Sequence, residues 1–101
     1  MEQDKILDLD PIIHAPVRLA ILSILINVDK AEFNYLKEMT ATSDGNLSTH
    51  LNKLEANNLI QIEKTYKGKK PQTLCSITDS GRTAFQQYVE QMEKFIRNQK
   101  I

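Results

Sequence analysis

Short hydrogen-bonding side chains cluster in one segment of this sequence, on the outer face of a predicted helix at about residues 44–57. Leucines at positions 47, 51 and 54 recur at helical spacing, which predicts one buried face. The opposite face carries amides, hydroxyls and a lysine, groups that can match polar donors and acceptors or phosphate oxygens. These candidate binding residues are Asn46, Ser48, Thr49, Asn52 and Lys53. Any amphipathic helix has a polar face, so this pattern alone leaves an ordinary solvated surface open.

A second candidate cluster is basic and follows the helix. After Leu59 the hydrophobic period changes from 3.6 to 2, so residues 60–77 predict a β-hairpin. Its turn carries Lys67, Lys69 and Lys70, and no acid occurs in residues 64–72, although the whole chain is balanced at 13 basic and 13 acidic residues. Positive charge held near phosphates is sufficient to attract them. Alternatively, the lysines only keep an exposed turn soluble and protect the strand edge.

Residues suited to catalysis or metal binding are few. His14, His50 and Cys75 are too scattered for a structural zinc site, and the sequence holds no glycine-rich phosphate loop, nucleophile elbow or paired-carboxylate signature. We therefore predict no enzyme activity, no metal and no cofactor. Cys75 alternates onto the side of Ile77, which favours a buried, inert thiol over a redox sensor.

Length and composition bound the protein class. With 101 residues, 41% hydrophobic and 26% charged, the chain predicts one globular, soluble domain with a modest core. The longest apolar stretch, Leu19 to Ile26, is far shorter than the roughly 20 residues that span a bilayer. A single cysteine excludes an internal disulfide, and no secretory signal is visible. These features predict a cytoplasmic protein.

The N-terminal half predicts two further helices. Asp10-Pro11 and Ala15-Pro16 both have the form of a helix start, so the first helix is expected to begin in two steps. One apolar stripe of this helix faces the core, and a second stripe needs another cover. Residues 31–34 suggest a very short strand, followed by a small helix from Tyr35 to Thr40 with Leu36 and Met39 facing inward.

The C-terminal segment predicts a long helix, capped by Thr78-Asp79 and covering about residues 79–101. Its apolar residues repeat every three or four positions, and its length exceeds what a small three-helix body should cover. An ordinary core stripe is the alternative explanation. We predict instead a two-fold homodimer in which this helix packs with the second stripe of the first helix. The predicted interface residues are Ile12, Leu19, Leu22, Ile26, Phe85, Tyr88, Met92, Phe95 and Ile96.

The order of these elements carries a family resemblance. The segments "APVRLAILSIL" (15–25), "FNYLKEMTATSDGNLSTHLNKLEANNLI" (33–60), "KGKKPQT" (67–73) and "ITDSGR" (77–82) resemble winged helix-turn-helix transcriptional regulators of the MarR/ArsR-like superfamily. The chain is similar to short members that end in a dimerisation helix. The resemblance implies a mainly α fold with a small β-hairpin, in the order α-β-α-α-β-wing-β-α, and a single winged-helix domain over residues 1–101.

The resemblance also implies a function. It predicts a homodimeric, sequence-specific DNA-binding regulator, with helix 44–57 in the major groove and wing 67–72 on the backbone or minor groove of an inverted repeat. Family members commonly carry arginine where Thr49 stands. Asn52 is suited to adenine or to a phosphate, Lys64 and Tyr66 could assist, and Arg18 is expected to support the first helix. A small-molecule effector is left open. The rival hypothesis, favoured by the near-neutral total charge, is a winged-helix protein–protein interaction module without DNA binding.

Overall fold

The computed structural model describes residues 8–98, which form four helices and a three-stranded antiparallel sheet of order β1-β3-β2. The element order is the one that the resemblance predicts. The predicted helix end at residues 99–101 lies outside the described residues. The elements are α1 (Pro16–Leu25), β1 (Ala31–Glu32), α2 (Phe33–Thr40), α3 (Asp44–Ala56), β2 (Ile60–Lys67), β3 (Lys70–Ile77) and α4 (Asp79–Arg97).

The first helix begins in two steps, as predicted. The Asp10 carboxylate accepts a hydrogen bond from the backbone N–H of Ile12 at 2.9 Å, and the His14 N–H donates to the Asp10 carbonyl at 2.8 Å. This turn precedes α1, which starts at Pro16, where a missing N–H costs the helix nothing. Residues 10–14 therefore form a turn of their own before α1.

The connection from α2 to α3 is tight and capped. Ala41 takes a left-handed conformation at φ 53° to end α2, and the Ser43 hydroxyl caps α3 by accepting from the Asn46 N–H at 3.1 Å. Lys37 and Asp44 form an ion pair of 2.7 Å across the connection. At the other end of α3, Asn58 is left-handed at φ 63°, a conformation that asparagine tolerates and that ends the helix.

Helix α3 is fixed through its leucine face. Leu47, Leu51 and Leu54 are each no more than 2% exposed and pack into the core formed by α1, α2 and the sheet. Full burial of a leucine side chain contributes about 1.5–3 kcal/mol relative to exposure. The same period turns the polar side of α3 outward. In α2, Leu36 is buried as predicted, but the inward prediction for Met39 is wrong because its side chain is 56% exposed.

The predicted hairpin is present. Strands β2 and β3 pair from Ile60 with Ile77 to Lys67 with Lys70, which leaves a two-residue turn. Gly68 opens that turn at φ 66°, a conformation that favours glycine and suits a two-residue hairpin. Cys75 pairs with β1 on one side and β2 on the other and is fully buried, which confirms the predicted buried thiol.

Helix α4 docks on the rest of the chain through its first turn. The Thr78 hydroxyl accepts from the Gly81 N–H at 2.9 Å and donates to the Asn58 carbonyl at 2.7 Å. The Thr78 N–H donates to the Leu59 carbonyl at 3.0 Å. These bonds join the start of α4 to the loop that ends α3, and so fix the position of α4 relative to α3.

Beyond that junction α4 contributes Tyr88 to the core, and Ala84, Phe85 and Met92 pack against it. Of its 19 residues only Gly81 and Tyr88 are buried. Tyr88 is 4% exposed, and its hydroxyl hydrogen-bonds to Nδ1 of His14 at 2.7 Å, while Leu22 on α1 is fully buried. The prediction that Leu22 and Tyr88 contact a second subunit is therefore wrong, because the chain itself already covers both. No helix within residues 8–98 combines the length and apolar character needed to cross a membrane.

Candidate nucleic-acid interface

The polar face of α3 is open to solvent. Asn46, Thr49, Asn52 and Lys53 are exposed, and within residues 8–98 the side chains of Asn46, Asn52 and Lys53 make no hydrogen bond or ion pair. The Thr49 hydroxyl donates to the Gly45 carbonyl at 3.0 Å, so its oxygen stays able to accept. Ser48 is half-buried and faces the hairpin. The helix thus presents unpaired amides and an ammonium group next to a neutral hydroxyl.

The predicted wing lysines are all at the exposed hairpin tip. Lys67, Lys69 and Lys70 have no ion-pair partner in the part of the chain that the structure describes. Lys67 and Lys70 are directly opposite in the ladder and share one face of the hairpin, whereas Lys69 sits in the turn. The tip therefore carries three uncompensated positive charges within a few residues of one another.

Arg18 on α1 connects α3 to the turn that precedes α1. The Arg18 guanidinium donates to the carbonyls of Ile12 and Pro11 and contacts Nδ1 of His50 on α3 at 3.1 Å. Arginine only donates, so Nδ1 of His50 accepts and the ring is neutral. Burial lowers the pKa of His50, and the positive charges of Arg18 and Lys53 add to the effect. Arg18 supports the first helix, as predicted from the sequence, through its bonds to the turn before α1.

The environment of Cys75 suppresses the reactivity of its thiol. Burial raises the pKa of the Cys75 thiol to about 11, with a further contribution from Glu55 and an opposing one from Lys64. A thiol with that pKa holds almost no thiolate near neutral pH and is a poor nucleophile. Within residues 8–98, no three His, Cys, Asp or Glu side chains come together in a way that could hold a metal ion.

A cleft lies between α3 and the hairpin, and the sequence did not predict that its lining residues are neighbours. Its volume is about 190 Å³. Helix α3 contributes Ser48, Asn52 and Glu55, and the hairpin contributes Lys64 and Thr73. Sequence reasoning missed Glu55 and Thr73, because only the packing of the hairpin against α3 sets them across one cleft. The alternation of β2 was the signal for Lys64, which shares a face with the half-buried Ile62.

The fold and this exposed surface define a class of protein. Residues 17–96 match the family model of the winged helix DNA-binding domain, and the chain belongs to that family. The predicted winged helix-turn-helix fold is thereby confirmed. Family and fold are those of DNA-binding regulators.

Two individual proteins are similar to this chain over most of its length. The chain is 37% identical over 87 residues to the uncharacterized protein MJ0432 of Methanocaldococcus jannaschii, covering 86% of this chain and 95% of that protein. The transcriptional regulator homologue from Pyrococcus horikoshii OT3 is 29% identical with a TM-score of 0.83, and the match covers 89% of each chain.

A third match is a structure solved with DNA. The Bacillus subtilis protein PadR, in complex with operator DNA, shares the fold at 19% identity and a TM-score of 0.65, over 88% of this chain and 51% of PadR. MarR-family regulators also share the fold, which agrees with the predicted resemblance.

Proposed function

We propose that this protein is a homodimeric, sequence-specific transcriptional regulator that inserts α3 into the DNA major groove and rests the hairpin on the backbone or the adjacent minor groove. One observation carries the proposal: α3 is locked into the core by leucines while its opposite face exposes unpaired polar side chains beside a lysine-tipped hairpin. Membership of the winged helix DNA-binding family supports it.

The chemistry of α3 suits a groove. Short side chains let a helix backbone come close to base edges, and asparagine can bind the N6 and N7 of adenine with two hydrogen bonds. The side-chain amides of Asn46 and Asn52 are both available for such contacts, and Lys53 can reach a phosphate. The single acid at the start of α3, Asp44, is already paired with Lys37 at 2.7 Å, which reduces its repulsion of DNA.

The dimer would use the apolar stripe of α4. Val89 is 39% exposed and Ile96 is 62% exposed, and Phe85, Met92 and Phe95 are only partly buried. Apart from Val89, which we add, these residues and the partly buried Ile12, Leu19 and Ile26 are the predicted interface residues other than Leu22 and Tyr88. A two-fold axis would present two α3 helices about 34 Å apart, one turn of DNA, and so select an inverted repeat.

The experiment is a DNA titration by fluorescence anisotropy at several salt concentrations. The wild type is compared with a variant that combines Lys67→Ala, Lys69→Ala and Lys70→Ala. Each phosphate that is no longer neutralised reduces the log–log salt slope by about 0.9, so the slope of the triple variant should be smaller by up to about 2.7 per subunit. Lys30→Ala is the control, because Lys30 is already paired with Glu63 at 2.7 Å. Absent binding at low salt, or a slope unchanged in the triple variant, would favour the protein–protein interaction module.

A further inference from the structure

One face of the hairpin changes character along its length. In an antiparallel ladder, residues directly opposite each other point to the same side of the sheet. Lys64 is opposite Thr73, and Tyr66 is opposite Pro71. Moving outward from the buried Cys75, this face passes through the Lys64–Thr73 pair and ends at Tyr66, which is 70% exposed. The polar pair thus sits between the core and the exposed tip.

This face forms one wall of the cleft described above, and α3 forms the other. Phe33, Leu51 and Ile62 give the cleft an apolar floor, and the polar and charged side chains are at its rim. Lys64 on β2 and Glu55 on α3 both line it, and neither has an ion-pair partner among residues 8–98. The two charges are close enough to the Cys75 thiol to act on its pKa in opposite directions.

The proposed function puts a constraint on what occupies this cleft. A helix in the major groove and a wing in the neighbouring minor groove are separated by one sugar–phosphate backbone, so that strand has to pass between them. Asn52 both lines the cleft and lies on the exposed face of α3. Tyr66 continues the hairpin wall toward the lysine tip. The cleft is therefore continuous with both predicted DNA-contacting surfaces.

We propose that this cleft holds one stretch of the DNA sugar–phosphate backbone, with Lys64 as its phosphate contact and Glu55 as an opposing carboxylate that limits affinity. The inference rests on the proposed function. Deoxyribose has an apolar side that suits the floor, and the Thr73 hydroxyl can hydrogen-bond to a phosphate oxygen. Glu55 repels phosphate whatever the base sequence, so it weakens non-specific binding and leaves more of the total affinity to base contacts.

The test uses two substitutions with opposite expected effects. The variants are Lys64→Gln and Glu55→Gln, with Lys30→Gln and Glu38→Gln as controls on exposed residues outside the cleft. The probe is a fluorescein-labelled duplex of about 30 base pairs, long enough for two half-sites. Lys64→Gln should lower the salt slope by about 0.9 per subunit. Between 50 and 200 mM salt, wild-type affinity should fall roughly 3.5-fold more than that of the variant for each phosphate that the variant leaves unneutralised.

Glu55→Gln should tighten binding about threefold at low salt, the effect of one unit charge several ångströms from a phosphate in water, and the gain should shrink as salt rises. Lys64→Arg keeps the charge and should keep the wild-type slope. Thermal melting by circular dichroism should show all variants folded, because the substituted side chains are exposed.

A neutral methylphosphonate linkage, moved stepwise through the probe, locates the contact. On a duplex that the wild type selects from a random pool, the linkage at one position of each half-site should weaken the wild type but leave Lys64→Gln unaffected. If Lys64→Gln and Lys30→Gln have the same slope, or Glu55→Gln does not tighten binding, the backbone contact is refuted while wild-type DNA binding still upholds the proposed function. A different result would assign the cleft to a ligand: a small amphiphilic compound binds the cleft and changes the DNA affinity, while the salt slopes of Lys64→Gln and Glu55→Gln equal that of the wild type. A wild type that binds no duplex overturns both proposals.

Discussion

Gly81 occupies a position where a single methyl group should destabilise the fold. A Cβ built on Gly81 would overlap the backbone carbonyl oxygen of Leu59 and lie 2.8 Å from Cγ1 of Ile77. The isoleucine side chain can move, but the Leu59 carbonyl is held by the Thr78 N–H at 3.0 Å. The start of α4 would have to shift away from the end of α3, and the Thr78 cap would be strained with it.

The magnitude follows from two opposing terms. Replacing glycine by alanine inside a helix is favourable by about 0.5–1 kcal/mol, whereas overpacking costs about 1–3 kcal/mol, and the upper end applies here because the Leu59 carbonyl belongs to fixed backbone. We therefore expect Gly81→Ala to lower the free energy of unfolding by about 2 kcal/mol. For a domain of this size, 1 kcal/mol corresponds to about 4–8 °C in melting temperature, so the midpoint should fall by roughly 8–16 °C.

Gly45 provides a matched control within the same chain. It also lies in the first turn of a helix, but a Cβ there would have no heavy atom within 4 Å. Gly45→Ala should therefore leave the melting temperature unchanged or raise it slightly. Both variants are compared with the wild type by thermal and urea unfolding followed by circular dichroism. If Gly81→Ala melts at or above the wild-type temperature, the close approach of α4 to Leu59 is not present in solution.

Three further results are expected. Ile96→Asp should convert a dimer to a folded monomer in sedimentation equilibrium, while Gln87→Asp, on the other side of α4, should not; equal masses for both variants and the wild type would reject the α4 interface. Because the folded-state pKa of His50 lies below its usual 6.5, the unfolded state binds the proton more readily, so stability should fall as pH drops below about 6.5 and His50→Gln should flatten that dependence. Cys75 should react with a thiol reagent near pH 8 only as fast as the protein opens, and rapid labelling of the native protein would contradict its pKa of about 11.

Local signals were enough to predict the elements of the fold. The caps at Ser43 and Thr78 and the left-handed Asn58 each depend on neighbouring backbone groups, which the sequence specifies directly. The hairpin followed from its alternating pattern and from the turn around Gly68. These features need no knowledge of distant packing.

The errors concern which apolar residues the chain covers by itself. Leu22 was assigned to a second, uncovered stripe of α1, but in the structure it is fully buried within the core. Tyr88 was assigned to the dimer, but the turn before α1 covers it and gives its hydroxyl a partner in His14. In α2, helical period alone could not decide whether Met39 or only Leu36 faces inward, because eight residues make barely two turns.

The candidate site was predicted as two separate surfaces, the polar face of α3 and the lysine tip. The cleft that joins them, and Glu55 within it, depended on how the hairpin packs against α3. That packing is a long-range property, so no spacing along the chain could indicate it. The residues of the proposed DNA contacts and of the dimer interface stay predictions.

The central claim is that the outward side chains of α3 read DNA sequence. The most direct measurement is selection of bound duplexes from a random pool by the purified wild type and by Asn52→Ala, followed by sequencing. The account predicts that the wild type enriches an inverted repeat with half-sites about one helical turn apart, and that Asn52→Ala relaxes the preference at one base pair of each half-site. A wild-type pool that remains random, or the same motif with undiminished preference from both proteins, would contradict it.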